Sequence, residues 1–162
     1  MGNVGVEKCF RNASMMLKFF NRQDIEVFSG ASKPVSDLKF HLNDEFHGTE
    51  GFPDSLIKLY KELFKSDPNL DFQYKSGRIS DTYDAIMKLE NKVTYLVFGP
   101  ATTFALLTQT FPQVLDKIER VVYMGTGISE GNVTPYAEFN TYNDPESLYI
   151  ALNNQIESII FP

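Results

Sequence analysis

Three side chains in one short stretch, Asn132, Glu138 and Asn140, with Met124 just upstream, have the right types to handle a polyhydroxylated ligand. An amide both donates and accepts hydrogen bonds, whereas a carboxylate only accepts them. Two amides and one carboxylate therefore suit the hydroxyls of a sugar. The same residues would also compose an ordinary polar surface loop. Asn140 has a second reading as a cap for the following turn, and Met124 and Phe139 serve as core or pocket wall under either reading.

What must position these residues is a strand that stops abruptly. Arg120-Val121-Val122-Tyr123 is an apolar, β-branched run that reads as a buried strand, and Gly125, Gly127 and Gly131 then break the pattern. Val93 to Phe98 is a second strand, stopped by Gly99-Pro100. Ile159-Ile160-Phe161 opens a third, and Ile25 to Phe28 reads as a short one. Between them lie helical patterns. Residues 5–20 carry an apolar stripe of Val6, Phe10, Ala13, Leu17 and Phe20. Pro53 to Lys65 repeats the pattern through Leu56, Ile57, Tyr60, Leu63 and Phe64. Ser80 is placed to cap a helix carrying Tyr83, Ile86, Met87 and Leu89. Thr102 to Thr110 is helical, and Asp144 with Pro145 opens a further helix as N-cap and first helical residue. Residues 34–53, dense in Pro, Asp, Asn, His and Gly, read as loop.

Strands alternating with helices predict an α/β fold, an open, mostly parallel sheet with flanking helices. Such sheets bind ligands outside the carboxyl ends of their strands. The stops after Phe98 and Met124 both fall at that edge.

The chain has 162 residues, 43% hydrophobic and 22% charged, enough for one domain with a real core. Its net charge of −6 and the lack of any basic run argue against nucleic-acid binding. No apolar stretch is long enough to span a membrane, and no secretory leader is evident at the start, so a cytoplasmic location is expected. The single cysteine, Cys9, falls on a helix and is expected to be a buried structural thiol. The sequons at Asn12 and Asn132 read as chance matches. Val6 stands where a myristoylation signal wants Ser or Thr.

Met124-Gly125 through Gly131-Asn132-Val133-Thr134-Pro135-Tyr136-Ala137-Glu138-Phe139-Asn140, followed by Asp144-Pro145-Glu146, resembles the ribose-binding signature of the inosine–uridine nucleoside hydrolase family. Other segments resemble the family in its own order: Gly2-Asn3-Val4 and Arg11-Asn12-Ala13, Val27-Phe28-Ser29-Gly30-Ala31-Ser32-Lys33-Pro34, His47-Gly48-Thr49-Glu50-Gly51-Phe52, and Phe98-Gly99-Pro100-Ala101-Thr102-Thr103. The resemblance spans essentially the whole chain and implies a nucleoside hydrolase-like, Rossmann-like sheet, incomplete at both ends, in a single partial domain over residues 1–162.

It also implies an activity, the hydrolysis of the N-glycosidic bond of purine or pyrimidine ribonucleosides to base and ribose. That reaction builds positive charge on the ribose ring. In the family a calcium ion binds water and ribose hydroxyls, and an aspartate takes the water's proton. By motif, Asn132, Glu138 and Asn140 match the ribose-binding residues, and Met124 lines the ribose pocket. Asn3 matches an asparagine near the ribose, close enough to the terminus for fraying to be expected. His47 lies in the loop that closes over the substrate. Phe98 falls where a backbone carbonyl binds calcium. His41 and His47 flank Asn43, Asp44 and Glu45, but the spacing fits no zinc pattern and the segment is read as lid.

The departures concern catalysis. The family's Asp-x-Asp-x-Gly-x-Asp-Asp cluster, which holds calcium and supplies the base, does not occur here, nor does its later His-Asp pair. No residue of this chain is therefore assigned a catalytic role, calcium binding is expected to be doubtful, and the isolated chain is expected to have weak or no activity. Exposed strand edges lead to an expectation of low stability, a homo-oligomer or a complementing chain. The alternative reading is a non-catalytic ribose- or nucleoside-binding module.

Overall fold

A computed structural model of the chain describes residues 2–36, 44–66 and 77–162. These form two compact units. Met1–Gly30 with Leu42–Gly77 makes one, and Ala31–His41 with Arg78–Pro162 makes the other.

The first unit is helical. Helix α1 (Val6–Phe19) buries Val6, Asn12, Ser14 and Met15. A four-residue helix, α2 (Asp44–His47), interrupts the segment expected to be loop. Helix α3 (Asp54–Leu63) follows Pro53 and buries Tyr60. The two longer helices meet through aromatic rings. Phe19 stands edge-on to Tyr60 at 5.4 Å and to Phe64 at 5.7 Å, the arrangement the ring quadrupoles favour. The expected strand at Ile25 to Phe28 is absent. Residues 26–30 have no ladder partner among the described residues, and without one β propensity does not make a strand. Cys9 is half-buried rather than buried, with its Sγ donating to the Val4 carbonyl at 3.3 Å.

The second unit holds the sheet. Strands β1 (Val93–Val97), β2 (Ile118–Met124) and β3 (Glu157–Phe161) are parallel, in the order β1-β2-β3. Val97 pairs with Tyr123 and Met124 with Phe161, so all three strands end at one edge. Helix α4 (Ile79–Met87) precedes β1, helix α5 (Thr102–Thr110) and a 3-10 turn (Pro112–Lys117) link β1 to β2, and α6 (Phe139–Asn143) and α7 (Pro145–Leu152) link β2 to β3.

The core lies where α5 and α7 cover the sheet. Ile86, Val97, Phe104, Leu107, Val114, Val121, Tyr123 and Leu148 form one buried cluster. Removing the Leu107 side chain from it would cost about 2–5 kcal/mol, the lost burial plus the cavity. The start of α4 differs from expectation. Its N-cap is Arg78, and Asp81 on the third helical residue accepts the Arg78 backbone N–H at 3.0 Å. Ser80 lies inside the helix, because an acidic residue three places after the cap satisfies the orphan amide from within.

Candidate functional site

The site is assembled where β2 ends. Gly125 donates its N–H to the Phe161 carbonyl at 3.1 Å, which holds the strand ends together. Its φ of 156° and its surroundings both require glycine. A Cβ there would stand 2.5 Å from Cε1 of Tyr123 and 3.0 Å from Oε2 of Glu138. Thr126 follows in the left-handed region, at φ 70°, an uncommon place for a β-branched residue. The loop beyond is knitted by its own backbone. Gly131 N–H donates to the Pro135 carbonyl at 3.1 Å, and the Asn132 and Val133 N–H groups donate to the Ala137 carbonyl at 3.1 and 3.0 Å.

Glu138 is the N-cap of α6, with the extended backbone typical of a cap. Its Oε1 accepts the Asn140 N–H at 3.0 Å, and its Oε2 accepts the Thr141 N–H at 3.2 Å and the Thr126 N–H at 3.1 Å. The carboxylate therefore joins the start of α6 to the turn after β2. Asn132 Oδ1 accepts the Phe139 N–H at 2.8 Å. Asn140, buried, donates Nδ2 to the Met124 carbonyl at 3.0 Å and lies 3.4 Å from the Met124 sulfur.

These bonds leave specific valences open. Glu138 retains acceptor capacity on Oε1, since a carboxylate offers about four lone-pair positions and three are used. Asn132 Nδ2 donates to nothing, and Asn140 Oδ1 accepts from nothing, among the hydrogen bonds of the described residues. One donor and two acceptors, fixed by bonds to backbone, can meet neighbouring hydroxyls of one small ring. Met124 is partly exposed beside them.

The structure thus brings Met124, Asn132, Glu138 and Asn140 into one hydrogen-bonded constellation. Phe98 sits one residue past Val97, at the end of the strand paired with β2, with its side chain 69% exposed. Asn3 and His47 belong to the other unit. Asn3 is half-buried ahead of α1. His47 ends α2, its ring edge-on to Phe46 at 4.9 Å. The loop after His47 is tied to α1. Glu50 accepts from Arg11 Nη1 at 2.7 Å and pairs with Lys8 Nζ at 3.0 Å, and Asn12 Nδ2 donates to the Glu50 carbonyl at 2.8 Å. The Arg11 hydrogen bond, then that of Lys8, lowers the Glu50 pKa below its ordinary value. His41 and Asn43 lie outside the described residues.

Three contributors were not legible from motif spacing. Asp144 does cap α7, accepting the Ser147 N–H at 3.2 Å. It also accepts the Val35 N–H at 2.9 Å and the Thr102 hydroxyl, so one buried carboxylate gathers the 31–36 loop, the start of α5 and the start of α7. Thr126 and Tyr123 are the others. Burial pushes the Tyr123 hydroxyl up to about 12. That hydroxyl and the nearby Thr141 hydroxyl are both buried and make no hydrogen bond of normal geometry.

Among the described residues, the calcium implied by the family resemblance finds no matching carboxylate group. A hard dication takes about six to eight oxygens, and no group of three or more His, Cys, Asp or Glu capable of holding a metal occurs among the described residues. No helix among those residues is long and apolar enough to cross a membrane.

The chain is similar to several known proteins in sequence and fold. A family model described as inosine-uridine preferring nucleoside hydrolase matches residues 1–162. The pyrimidine-specific ribonucleoside hydrolase RihA of Escherichia coli O1:K1 is 35% identical over 159 residues, covering 98% of this chain and 48% of that protein. An uncharacterized protein of Schizosaccharomyces pombe is 35% identical over 158 residues, covering 95% of this chain and 44% of its own length. Among solved structures, a plant nucleoside hydrolase, PpNRh1, superimposes with a TM-score of 0.79 at 25% identity, over 99% of this chain and 48% of its own. A purine-preferring ribonucleoside hydrolase from Gardnerella vaginalis shares the fold, with a TM-score of 0.78 at 23% identity, over 98% of this chain and 49% of its own. The chain spans about half the length of the curated relatives it matches.

Proposed function

The chain belongs to the inosine-uridine preferring nucleoside hydrolase family, and from that membership we propose that residues 124–140 form the ribose-holding wall of a ribonucleoside N-ribohydrolase. The observation that carries this is the state of Glu138. Its carboxylate is fixed by three backbone amides while Asn132 and Asn140 hold one open donor and one open acceptor beside it. Rigid, partly unsatisfied groups of this kind bind vicinal hydroxyls with little ordering cost. Fixing the sugar is also what the reaction needs, since an oxocarbenium-like ribose must be held while the base departs.

In this proposal Met124 is pocket wall. Residues 1–162 act as one domain of the family, in the cytoplasm. Glu138 is an acceptor for hydroxyls rather than the base that takes a proton from water, because three amide donors already engage it. The carbonyl of Phe98 would be one oxygen ligand for calcium, and a full coordination shell needs carboxylates that the described residues do not gather.

A second reading, a ribose- or nucleoside-binding module or a subunit completed by another chain, has its own support. Parallel sheets are ordinarily covered on both faces, yet Leu96 of β1 and Ile160 and Phe161 of β3 are exposed, on strands that each have one paired edge among the described residues. A second copy or a complementing chain would cover them.

One experiment separates the readings. Ribose binding is measured by calorimetry on the 162-residue chain, and ribose release from inosine and uridine is assayed with millimolar calcium. Binding with little or no turnover is expected. Turnover at about 1 per second or faster would show that the chain carries a complete catalytic set, and absence of ribose binding would overturn the proposed wall.

A further inference from the structure

Tyr123 is the penultimate residue of β2 and is fully buried, yet its hydroxyl makes no hydrogen bond of normal geometry. A buried tyrosine ordinarily gives its hydroxyl a partner. The Thr141 hydroxyl lies near it, and the ring is closely packed as well. Its Cε1 and Cζ lie so near Gly125 that a Cβ there would approach them to 2.5 and 2.9 Å. The same imagined Cβ would lie 3.0 Å from Oε2 of Glu138. Aromatic ring, glycine backbone and carboxylate are thus in close sequence, with no room for a methyl group between them.

The next residue makes the connection functional. Thr126 has a left-handed backbone at φ 70°, which a β-branched residue does not adopt unless its neighbours impose it. In that conformation its N–H donates to Glu138 Oε2 at 3.1 Å. The other two bonds to Glu138, from Asn140 and Thr141, are those of a helix cap and come from α6 itself. Among the described residues, the Thr126 bond alone ties the carboxylate to the turn that follows β2.

We propose that Tyr123 is a positioning residue for the sugar site. Its ring supports the Gly125–Thr126 turn from the sheet side, holds Thr126 left-handed and so aims the Thr126 amide at Glu138. The carboxylate is thereby fixed relative to the strand ends instead of turning with the short helix it caps. This rests on the reading of Glu138 as the hydroxyl-binding carboxylate, but the geometry can be tested without a ligand.

The test uses amide resonances of the full chain. E138Q removes the charge, so the Thr126, Asn140 and Thr141 amides are expected to shift in otherwise native protein. In Y123F the same three respond, because the ring is kept. In Y123L the Thr126 response falls by at least half while those of Asn140 and Thr141 persist, and G125A, which wedges ring and carboxylate apart, does the same. An undiminished Thr126 response in folded Y123L or G125A overturns the proposal. Should both variants fail to fold, hydrogen exchange in the native chain decides. The Thr126 amide is expected to exchange at least tenfold more slowly than the exposed loop amides of Ser129 and Glu130, and equal rates overturn the proposal. Ribose titration then separates this inference from the reading beneath it. Affinity about tenfold weaker in Y123L, and within twofold of native in Y123F, is expected. Native chain that binds no ribose defeats the sugar site alone, and equal affinity in Y123L and native chain defeats the role of Tyr123 alone.

Discussion

Asn140 donates its side-chain amide to the carbonyl of Met124 across 3.0 Å, from inside α6 to the last residue of β2. The Met124 carbonyl is placed against a side chain whose other end, Oδ1, accepts no hydrogen bond among the described residues. Stability and ligand binding therefore share one residue. N140A is expected to destabilise the chain by about 0.5–1.5 kcal/mol, the loss of a part-buried hydrogen bond, and to abolish ribose binding. N140D keeps an acceptor for the ligand but sets a carboxylate against a carbonyl. It should be at least as destabilising as N140A. Urea melts of the two variants beside calorimetric titrations check both statements.

Asp144 is fully buried and accepts from Ser147, Val35 and Thr102. D144A would leave three donors without their partner and should cost on the order of 3 kcal/mol or more, since each buried group left unpaired costs about 1–3 kcal/mol. D144N keeps the shape but turns an acceptor into a donor facing donors, so it should recover little. A shift of the urea midpoint within experimental error for D144N would show that the carboxylate is not the hub described here.

Much of this was readable beforehand, and the reasons differ by residue. The helix Thr102–Thr110, the strand ending at Met124 and the cap at Asp144 are set by local pattern, and they stand where the pattern put them. The strand expected at Ile25 to Phe28 failed because strand formation requires a partner that local sequence does not encode. Ser80 is not the cap because the helix begins earlier, with Arg78 as its cap and Asp81 accepting the Arg78 backbone N–H. In the site, residue types predicted the polar constellation but not its internal wiring. The Thr126 amide on Glu138 and the second and third bonds of Asp144 depend on contacts between segments apart in sequence, and the close approach of the Tyr123 ring to Gly125 depends on the backbone conformation of the turn. The left-handed Thr126 had no local signal, since threonine disfavours that conformation.

Glu50 gives the pH prediction. Its folded-state pKa is lowered, first by the Arg11 hydrogen bond and then by that of Lys8. A lowered carboxylate contributes stability that is present above its unfolded pKa, about 4.3, and that is lost as pH falls through the folded value. Native chain should therefore exceed E50Q in stability near neutral pH, and the gap should close on acidification below about pH 4. The gap should be modest and should shrink in high salt, because the pairs are partly solvated. Thermal melts of both proteins across this range check it. A gap that widened toward acid would contradict the ion-pair assignment.

Thr126→Gly sets two effects against each other. A β-branched residue at φ 70° carries backbone strain of about 1–3 kcal/mol, and glycine removes it. Glycine also gives the unfolded chain more freedom, which costs about 0.5–1 kcal/mol. The strain is the larger quantity, so T126G should be more stable than the native chain by about 0.5–1 kcal/mol, provided its N–H still donates to Glu138 Oε2. Thr126 is half-buried and its side chain appears in no hydrogen bond of the described residues, so little packing is lost with it. The exchange rate of the residue-126 amide distinguishes the two causes. Higher stability with an equally protected amide means that strain has been relieved in place. Higher stability with a fast-exchanging amide means that the turn has let go of Glu138, and ribose affinity should then fall.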